Sequence, residues 1–260
     1  MPARWTLTLT AEQPIRPATP AQLHGLACTL FEGFGADHTS QTKPFAISPL
    51  LNNPDRHTAD LCLGWLDDTN PPPPDLATTH RIRLGSQFLT IHHTDFEPAP
   101  YHALLAAPPT RRADITFLSP THFTQAGRSI PLPDPRLVYQ SLLRRWNHHA
   151  AHPITEPTTA ALFENLLLTA HDTATTSVTL GSGRRTGFTG TATYSLHHHT
   201  DTPTLHAFTA LTRFAAVAGI GAQTTHAQGY VRVSLHPPHQ PRTGPPPLGP
   251  SESSHPRTKP

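Results

Sequence analysis

The sequence predicts a protein of the α+β class, built from two halves that share a similar order of elements. Its 260 residues are enough for two small domains that each bury a core. Alternating, strand-like segments and amphipathic helical segments recur in the same order in both halves. A stretch with Pro98, Pro100, Pro108 and Pro109 separates the halves and reads as a linker. We therefore expect a pseudo-repeat of two α+β units.

The first half opens with a strand followed by a helix. Residues 5–9 alternate apolar and polar side chains, which is typical of a half-buried strand. Thr19 and Pro20 resemble an N-cap and a first helical residue, so a helix is predicted over 20–31. The remaining predicted elements are strands at 43–50 and 61–66, a rigid turn at 71–74, a helix opening at 75–79 and a strand at 81–92.

The second half repeats this pattern up to residue 236. An amphipathic helix is predicted at 136–147 with Leu137, Leu142, Leu143 and Trp146 facing inward. The other predicted elements are strands at 115–118, 177–180, 187–196 and 229–235, and helices at 158–170 and 204–217. Pro, Ser, Gly and His dominate the tail from 237 to 260, which lacks an apolar face and is expected to be disordered.

The overall composition excludes several classes of protein. The two cysteines, Cys28 and Cys62, and the absence of a charged-then-apolar leader predict an intracellular, cytoplasmic chain without a disulfide framework. No apolar run approaches the roughly 20 residues of a membrane helix.

The charge is distributed unevenly although the net charge is only +2. Residues 1–108 carry 6 basic and 10 acidic side chains, whereas 109–236 carry 10 and 6, and all ten basic ones there are arginines. The arginine guanidinium binds phosphate better than a lysine does, because it can donate two parallel hydrogen bonds. This asymmetry favours binding of a polyanion by the C-terminal half.

Four short segments carry a family resemblance through their order and intervals. They are LHGL at 23–26, His38 followed by KPFAISPL at 43–50, FLSPTHF at 117–123, and GIGAQT at 219–224 with QGYVRV at 228–233. Pro131-Leu132-Pro133, Trp146-Asn147 and GFTG at 187–190 add to it. Together they resemble the CRISPR-associated endoribonucleases that cut precursor crRNA within its repeats, the Cas six type of the RAMP superfamily.

The resemblance implies a fold of two tandem ferredoxin-like (RRM-like) domains, with antiparallel sheets and helices on one face. It implies an N-terminal domain at 1–108 that holds a catalytic histidine, and a C-terminal RAMP domain at 109–236 with a glycine-rich loop. It also implies a metal-independent cut that leaves a 2′,3′-cyclic phosphate and a 5′-hydroxyl. The catalytic histidine matches His38 and the following lysine matches Lys43, whereas the family's first-helix tyrosine is replaced by Cys28.

The residue chemistry agrees with these roles. Attack of a ribose 2′-hydroxyl on its own phosphate needs a base with a pKa near neutral and a cation for the developing charge, which His38 and Lys43 can provide. His24 is a candidate proton donor to the leaving 5′-oxygen. Taken alone, a histidine such as His24 is more often a helix-surface residue, and a lysine such as Lys43 is usually a solvated charge.

Metal and nucleotide sites are not favoured. Histidines repeat at 92–93, 148–149 and 197–199, but consecutive strand residues alternate faces and cannot all reach one ion. The glycines at 219, 221 and 229 lack the Gly-Lys-Ser/Thr end of a P-loop. We expect no cofactor.

Candidate RNA-binding residues lie in the second half. Arg184 and Arg185 lie beside Gly181 and Gly183 and are candidates for a phosphate clamp, with a solvated loop as the alternative. Gly219, Gly221 and Gly229 could bring backbone N–H groups close to phosphates or simply form a tight turn. The full set of predicted RNA-binding residues is Arg128, Arg144, Arg145, Arg184, Arg185, Gly219, Gly221 and Gly229.

The leading hypothesis is an endoribonuclease acting on CRISPR repeat RNA. The runner-up is a non-catalytic RAMP subunit that holds crRNA in an effector complex, with His38 incidental. A small-molecule-binding α+β enzyme is a third alternative. Repeat RNA is the expected partner, and a homodimer or association with an effector complex is compatible with the first two hypotheses.

Overall fold

The computed structural model describes residues 1–31, 43–70, 79–180 and 183–236, which form two antiparallel sheets with helices packed on them. The predicted turn at 71–74, almost all of the predicted helix at 75–79, His38 and the tail at 237–260 lie outside the described residues. The predicted α+β class is confirmed.

The first sheet has the strand order β2–β4–β1–β6–β5, with β3 also paired to β4. Its strands are β1 (Ala3–Thr10), β2 (Phe45–Ile47), β3 (Leu51–Asn52), β4 (Thr58–Trp65), β5 (Arg81–Leu84) and β6 (Gln87–Pro98). Trp5 pairs with Leu63 and Leu7 with Leu61, so apolar side chains share one face. The order β2–β4–β1–β6 is that of a ferredoxin-like sheet.

Helix α1 (Pro20–Phe31) covers this sheet over the predicted range. It begins with a capping box, because the Thr19 N–H donates to Gln22 Oε1 at 2.9 Å and the Gln22 N–H donates to Thr19 Oγ1 at 3.3 Å. Leu23, Leu26 and Phe31 are buried in the first-sheet core. His24 lies between these buried positions and is only partly buried.

The second sheet repeats the arrangement with the order β10–β11–β7–β12. Its strands are β7 (Arg112–Thr121), β10 (Leu166–Leu180), β11 (Gly183–Leu196) and β12 (Val231–His236), and its helices are α3 (Pro135–His149), α4 (Glu156–Asn165) and α5 (Thr202–Ala218). A small hairpin of β8 (Phe123–Gln125) and β9 (Arg128–Ile130) follows β7. The tandem ferredoxin-like fold is thereby confirmed.

Aspartates begin the two long helices of the second half. The Leu137 N–H donates to Asp134 Oδ1 at 2.9 Å at the start of α3, and the Thr204 N–H donates to Asp201 Oδ1 at 2.8 Å at the start of α5. Each helix also has a proline in its first turn, where a backbone N–H would have no partner within the helix. Leu142, Leu143 and Trp146 are buried as predicted, and Leu137 is partly buried.

Two sequence predictions were wrong. The helix predicted at 158–170 ends at Asn165, and Leu166 begins the 15-residue strand β10. The Leu166-Leu167-Leu168 run fits a buried strand as well as a helix, and pairing with β11 decides between them. The linker contains helix α2 (Tyr101–Ala106), in which Tyr101 packs against Trp146 and Phe214.

The two halves pack closely on one another. The Tyr101 hydroxyl donates to the Leu66 carbonyl oxygen at 2.8 Å, and Leu66 belongs to the second core. Gly64 in β4 touches the backbone of Val217 in α5 so closely that a side chain would not fit. The boundary between 108 and 109 stays a prediction, because α2 lies before it and packs in the second core.

Candidate functional site

A groove of about 1120 Å³ runs between the two halves. It is bounded by Lys43 from the first half, and by β8, α3 and the loop after α5 from the second. Its described lining residues are Lys43, Phe123, Thr124, Gln125, Leu137, Gln140, Ser141, Leu143, Arg144, Arg145, Asn147, His148 and Gly221 to Thr225. This set has three cationic side chains and neither Asp nor Glu, so the groove suits an anion.

The loop from Gly219 to Gly229 forms the rim of the groove through a tight turn. Gly219, Gly221 and Gly229 have φ values of 67°, 83° and 67°, which favour glycine. A Cβ on Gly221 would lie 2.5 Å from the His122 carbonyl oxygen, and one on Gly229 would overlap the Ile220 carbonyl. The glycines are therefore required by the packing of this loop against the strands.

The N–H groups of these glycines are already used within the protein. The Gly219 N–H donates to the Ala215 carbonyl at 2.9 Å, the Gly221 N–H to Ser141 Oγ at 3.2 Å, and the Gly229 N–H to the Pro120 carbonyl at 3.1 Å. In this conformation none of the three can donate to a phosphate. Of the two functions predicted for the glycines, the geometry favours the tight turn.

Arg145 binds the backbone of the same loop between Gly219 and Gly229. Its guanidinium donates to the carbonyl oxygens of Ala218, of Gly219 at 3.3 Å and of Gly221 at 2.6 Å. Burial, with a contribution from the neighbouring Arg144, lowers the pKa of Arg145 to about 10, so it stays charged at neutral pH. We predicted that Arg145 contacts RNA phosphates. In the structure its guanidinium N–H groups instead donate to carbonyl oxygens of the protein.

Arg144 is exposed and lines the groove, one position before Arg145 in α3. Consecutive helical residues point about 100° apart, so Arg144 can face the groove while Arg145 faces the loop carbonyls. Gln140, Asn147 and His148 lie on the same side of the helix, because Gln140 is four positions before Arg144 and the other two are three and four positions after it. These polar residues of α3 are visible in the sequence. The prediction missed them because it considered only the apolar face of this helix.

His24 is held at the junction of the halves. Its Nδ1 lies 3.1 Å from the Thr225 carbonyl oxygen, and its Nε2 lies 3.6 Å from Cys28 Sγ. Its ring stacks on that of His226, with centroids 4.0 Å apart and planes 9° apart. Thr225 lines the groove, so His24 contacts a residue of the groove wall.

The prediction from sequence missed His226. It falls between the GIGAQT and QGYVRV segments, and no local pattern reveals a ring contact with a residue 202 positions earlier. Burial and the nearby His24 lower the pKa of His226 to about 4. His226 is therefore neutral at neutral pH.

The predicted His38 lies outside the described residues, whereas Lys43 and Cys28 are described. Cys28 lies one helical turn after His24, with its thiol toward the imidazole. Lys43 is partly buried at the entry to β2, two positions before Phe45, whose ring lies 6.3 Å from that of His24. Of the three predicted catalytic residues, the structure describes His24 on α1 and Lys43 just before β2, and these two elements are in contact.

The remaining predicted arginines lie on two hairpins. Arg184 and Arg185 are exposed at the far end of the β10–β11 hairpin, opposite Thr179 and Val178. Arg128 is exposed on the β8–β9 hairpin. Ser129 Oγ donates to the Thr186 carbonyl at 3.4 Å, so the two hairpins touch. Arg128 and Arg185 thereby lie on neighbouring strands.

Within the described part of the chain, no three His, Cys, Asp or Glu side chains are grouped as metal ligands would be. None of the described helices is long and apolar enough to span a membrane.

Three comparisons with known proteins bear on this geometry. The family model described as CRISPR-associated endoribonuclease Cas6 matches residues 115–231. A curated protein of that name from Mycobacterium tuberculosis (strain CDC 1551 / Oshkosh) is 29% identical, over 92% of this chain and 80% of its own length.

Among solved structures, a product complex of Thermus thermophilus Cas6 is 28% identical with a TM-score of 0.75, covering 90% of this chain and 100% of its own. A Cas6 substrate mimic complex is 26% identical with a TM-score of 0.74, covering 90% and 99%. The tandem of ferredoxin-like sheets is therefore the fold of Cas6-like proteins. The predicted resemblance to the CRISPR-associated endoribonuclease Cas6 is confirmed.

Proposed function

We propose that this protein is a metal-independent endoribonuclease that cuts CRISPR repeat RNA in precursor crRNA. The observation that carries the proposal is the cationic groove between the halves, which is lined by Lys43 and by Thr225, the residue that His24 contacts. A phosphodiester backbone that enters the groove would meet Arg144 on α3 and Lys43 of the first half. The absence of a carboxylate among its described lining residues avoids repulsion of phosphates.

The RNA would be gripped mainly through its backbone. Arg184 and Arg185 on one hairpin and Arg128 on the next extend the basic surface of the second half beyond the groove. Contacts to phosphates give affinity and register, whereas a folded or single-stranded repeat would be recognised by its shape and its exposed bases.

Cleavage would require two proton transfers and the attack of one oxygen on phosphorus. His38 would take the proton from the 2′-hydroxyl just upstream of the cut, and the 2′-oxygen would bond to phosphorus. Lys43 would stabilise the charge on the phosphorane oxygens, and His24 would give a proton to the leaving 5′-oxygen as its bond breaks. The products are a 2′,3′-cyclic phosphate and a 5′-hydroxyl.

The comparisons support the substrate class. The curated relative is named an endoribonuclease, and two Cas6 structures of the same fold are named as product and substrate mimic complexes. Their identity to this chain, at 26 to 29%, leaves the individual residue roles to experiment.

The proposal is tested with end-labelled repeat RNA under single-turnover conditions. We expect cleavage to persist in excess EDTA, because the general base is a side chain. Placing a single 2′-deoxy nucleotide upstream of the cut should abolish cleavage and leave binding intact, because the nucleophile is gone. Restoration of an EDTA-inhibited activity by magnesium, manganese or zinc would contradict the metal-free mechanism.

The same assay distinguishes the endoribonuclease from the alternative hypothesis of a non-catalytic RAMP subunit. A chain that binds the repeat tightly but never cuts it would be the non-catalytic RAMP subunit. A chain that neither binds nor cuts repeat RNA would be outside both hypotheses.

A further inference from the structure

The ring of His24 is enclosed by groups from both halves of the chain. The His226 ring lies parallel to it at 4.0 Å, and the Thr225 carbonyl oxygen lies 3.1 Å from its Nδ1. Both residues belong to the loop between α5 and β12, whereas His24 is on α1. These two contacts of His24 therefore exist only when the two halves are packed together.

The Thr225 carbonyl determines the tautomer of His24. A carbonyl oxygen can only accept, so the hydrogen bond requires a hydrogen on Nδ1. In the neutral ring the lone pair is then on Nε2, which lies 3.6 Å from Cys28 Sγ. Any proton that His24 takes up or releases must therefore pass through Nε2.

The loop that presents Thr225 and His226 is itself fixed. The N–H groups of His226 and Gln228 both donate to the Gln223 carbonyl, at 2.9 and 3.2 Å. Ala227 is buried in the core of the first sheet, which anchors the loop to the opposite half. The loop backbone consequently keeps His226 beside His24, and the His226 Nδ1 lies 3.1 Å from Thr225 Oγ1.

We propose that His226 is a positioning residue, which holds the His24 ring flat so that Nδ1 faces the Thr225 carbonyl and Nε2 carries the exchangeable proton. This inference rests on the proposed function, in which His24 gives that proton to the leaving 5′-oxygen. The second half thus completes a site whose histidine ring, His24, belongs to the first half. His226 acts through His24 and does not itself contact the RNA.

The test compares His226→Ala with His226→Phe in the full chain. Alanine removes the stacked ring, whereas phenylalanine keeps a flat ring without nitrogen. His57→Ala is the matched control, because His57 also directs Nδ1 to a carbonyl, that of Ala11 at 3.2 Å, but on an exposed turn of the first half. We measure the ring ¹⁵N shifts of His24, the single-turnover cleavage rate and the affinity for uncleavable repeat RNA.

In His226→Ala we expect His24 to show a mixture of tautomers and the rate to fall about 10- to 100-fold, with unchanged affinity. In His226→Phe the wild-type tautomer and most of the rate should return, and His57→Ala should match the wild type in all three. An unaltered His24 tautomer or an unaltered rate in His226→Ala overturns the proposal, as does a variant that loses affinity instead.

The spectra distinguish this proposal from the proposed function. If the wild-type chain does not cut repeat RNA, the proposed function fails, and the ring ¹⁵N shifts alone decide whether His226 positions His24. If His226→Phe does not restore the tautomer, ring stacking is not what positions His24, and the proposal fails even though cleavage is real.

Discussion

Arg145 donates a hydrogen bond from Nη2 to the carbonyl oxygen of Gly221 at 2.6 Å, which ties helix α3 in the groove wall to the rim of the groove. Arg145→Ala should remove this bond and leave the carbonyls of Ala218 and Gly219 without their partner. We expect a loss of about 3 kcal/mol in the free energy of unfolding, measured by urea denaturation.

Arg144→Ala is the matched control, since Arg144 is adjacent in sequence but exposed in the groove. It should leave the free energy of unfolding nearly unchanged and weaken RNA binding. Equal destabilisation by the two variants would show that the carbonyl contacts of Arg145 contribute little.

Gly221→Ala tests the tight turn. The new Cβ would meet the His122 carbonyl at 2.5 Å and would require a φ near 83°, so we expect a loss of at least about 2 kcal/mol in the free energy of unfolding. Gly25→Ala is the comparison, because a Cβ added to Gly25 in α1 would have nothing within 4 Å of it. That variant should gain about 0.5 to 1 kcal/mol. A stabilised Gly221→Ala would contradict the packing of this loop.

Acid should destabilise the protein before its carboxylates are protonated. Burial, with a smaller effect of His148, lowers the pKa of His149 to about 4, and the pKa of His226 is also about 4. The unfolded chain takes up these protons near pH 6.5 and the folded chain only near pH 4. Stability is therefore complete above pH 6.5 and falls as the pH drops toward 4.

The contribution of His149 to this loss is up to about 3 kcal/mol. Melting temperatures measured between pH 8 and 4 should fall across this window, and His149→Gln should flatten the fall. A melting temperature that is constant down to pH 4 would show that His149 and His226 are protonated in the folded state without penalty.

Much of the fold could be predicted because local signals and long-range packing agree. Thr19, Pro20 and Gln22 define the start of α1 by local hydrogen bonds, and α1 follows the predicted range. At Leu166 the local signal was ambiguous, and pairing with Leu196 on β11 determined the strand. The site was less predictable, since Arg145 looked like its exposed neighbour and His226 gained a role only through contact with the opposite half.

Replacing Arg184 and Arg185 separately should give unequal effects on RNA binding. They are consecutive residues of β11, so their side chains point to opposite faces of the hairpin. Only Arg185 is close enough to His122 to help lower the pKa of that buried ring. Of the two single variants, Arg184→Ala and Arg185→Ala, one should reduce the slope of RNA affinity against salt concentration by about 1 and the other by much less. Equal reductions would mean that the RNA wraps around the hairpin.

The assignment of acid and base can be tested by removing one limb of the pH–rate profile at a time. A general base works when it is deprotonated, so it produces the limb that rises with pH, and a general acid produces the limb that falls. His38→Ala should lower the single-turnover rate by roughly 10² to 10⁴ and abolish the rising limb. His24→Ala should abolish the falling limb instead, because it removes the proposed proton donor to the leaving oxygen.

Lys43→Ala separates charge stabilisation from proton transfer. It should lower the rate while both limbs remain, because the cation stabilises the phosphorane without exchanging a proton. RNA affinity should change little in His38→Ala and His24→Ala, since neither residue is assigned a phosphate contact. If His24→Ala instead removes the rising limb, His24 is the base. His226 would then orient the Nε2 lone pair toward the 2′-hydroxyl, and the donor to the 5′-oxygen would be another group.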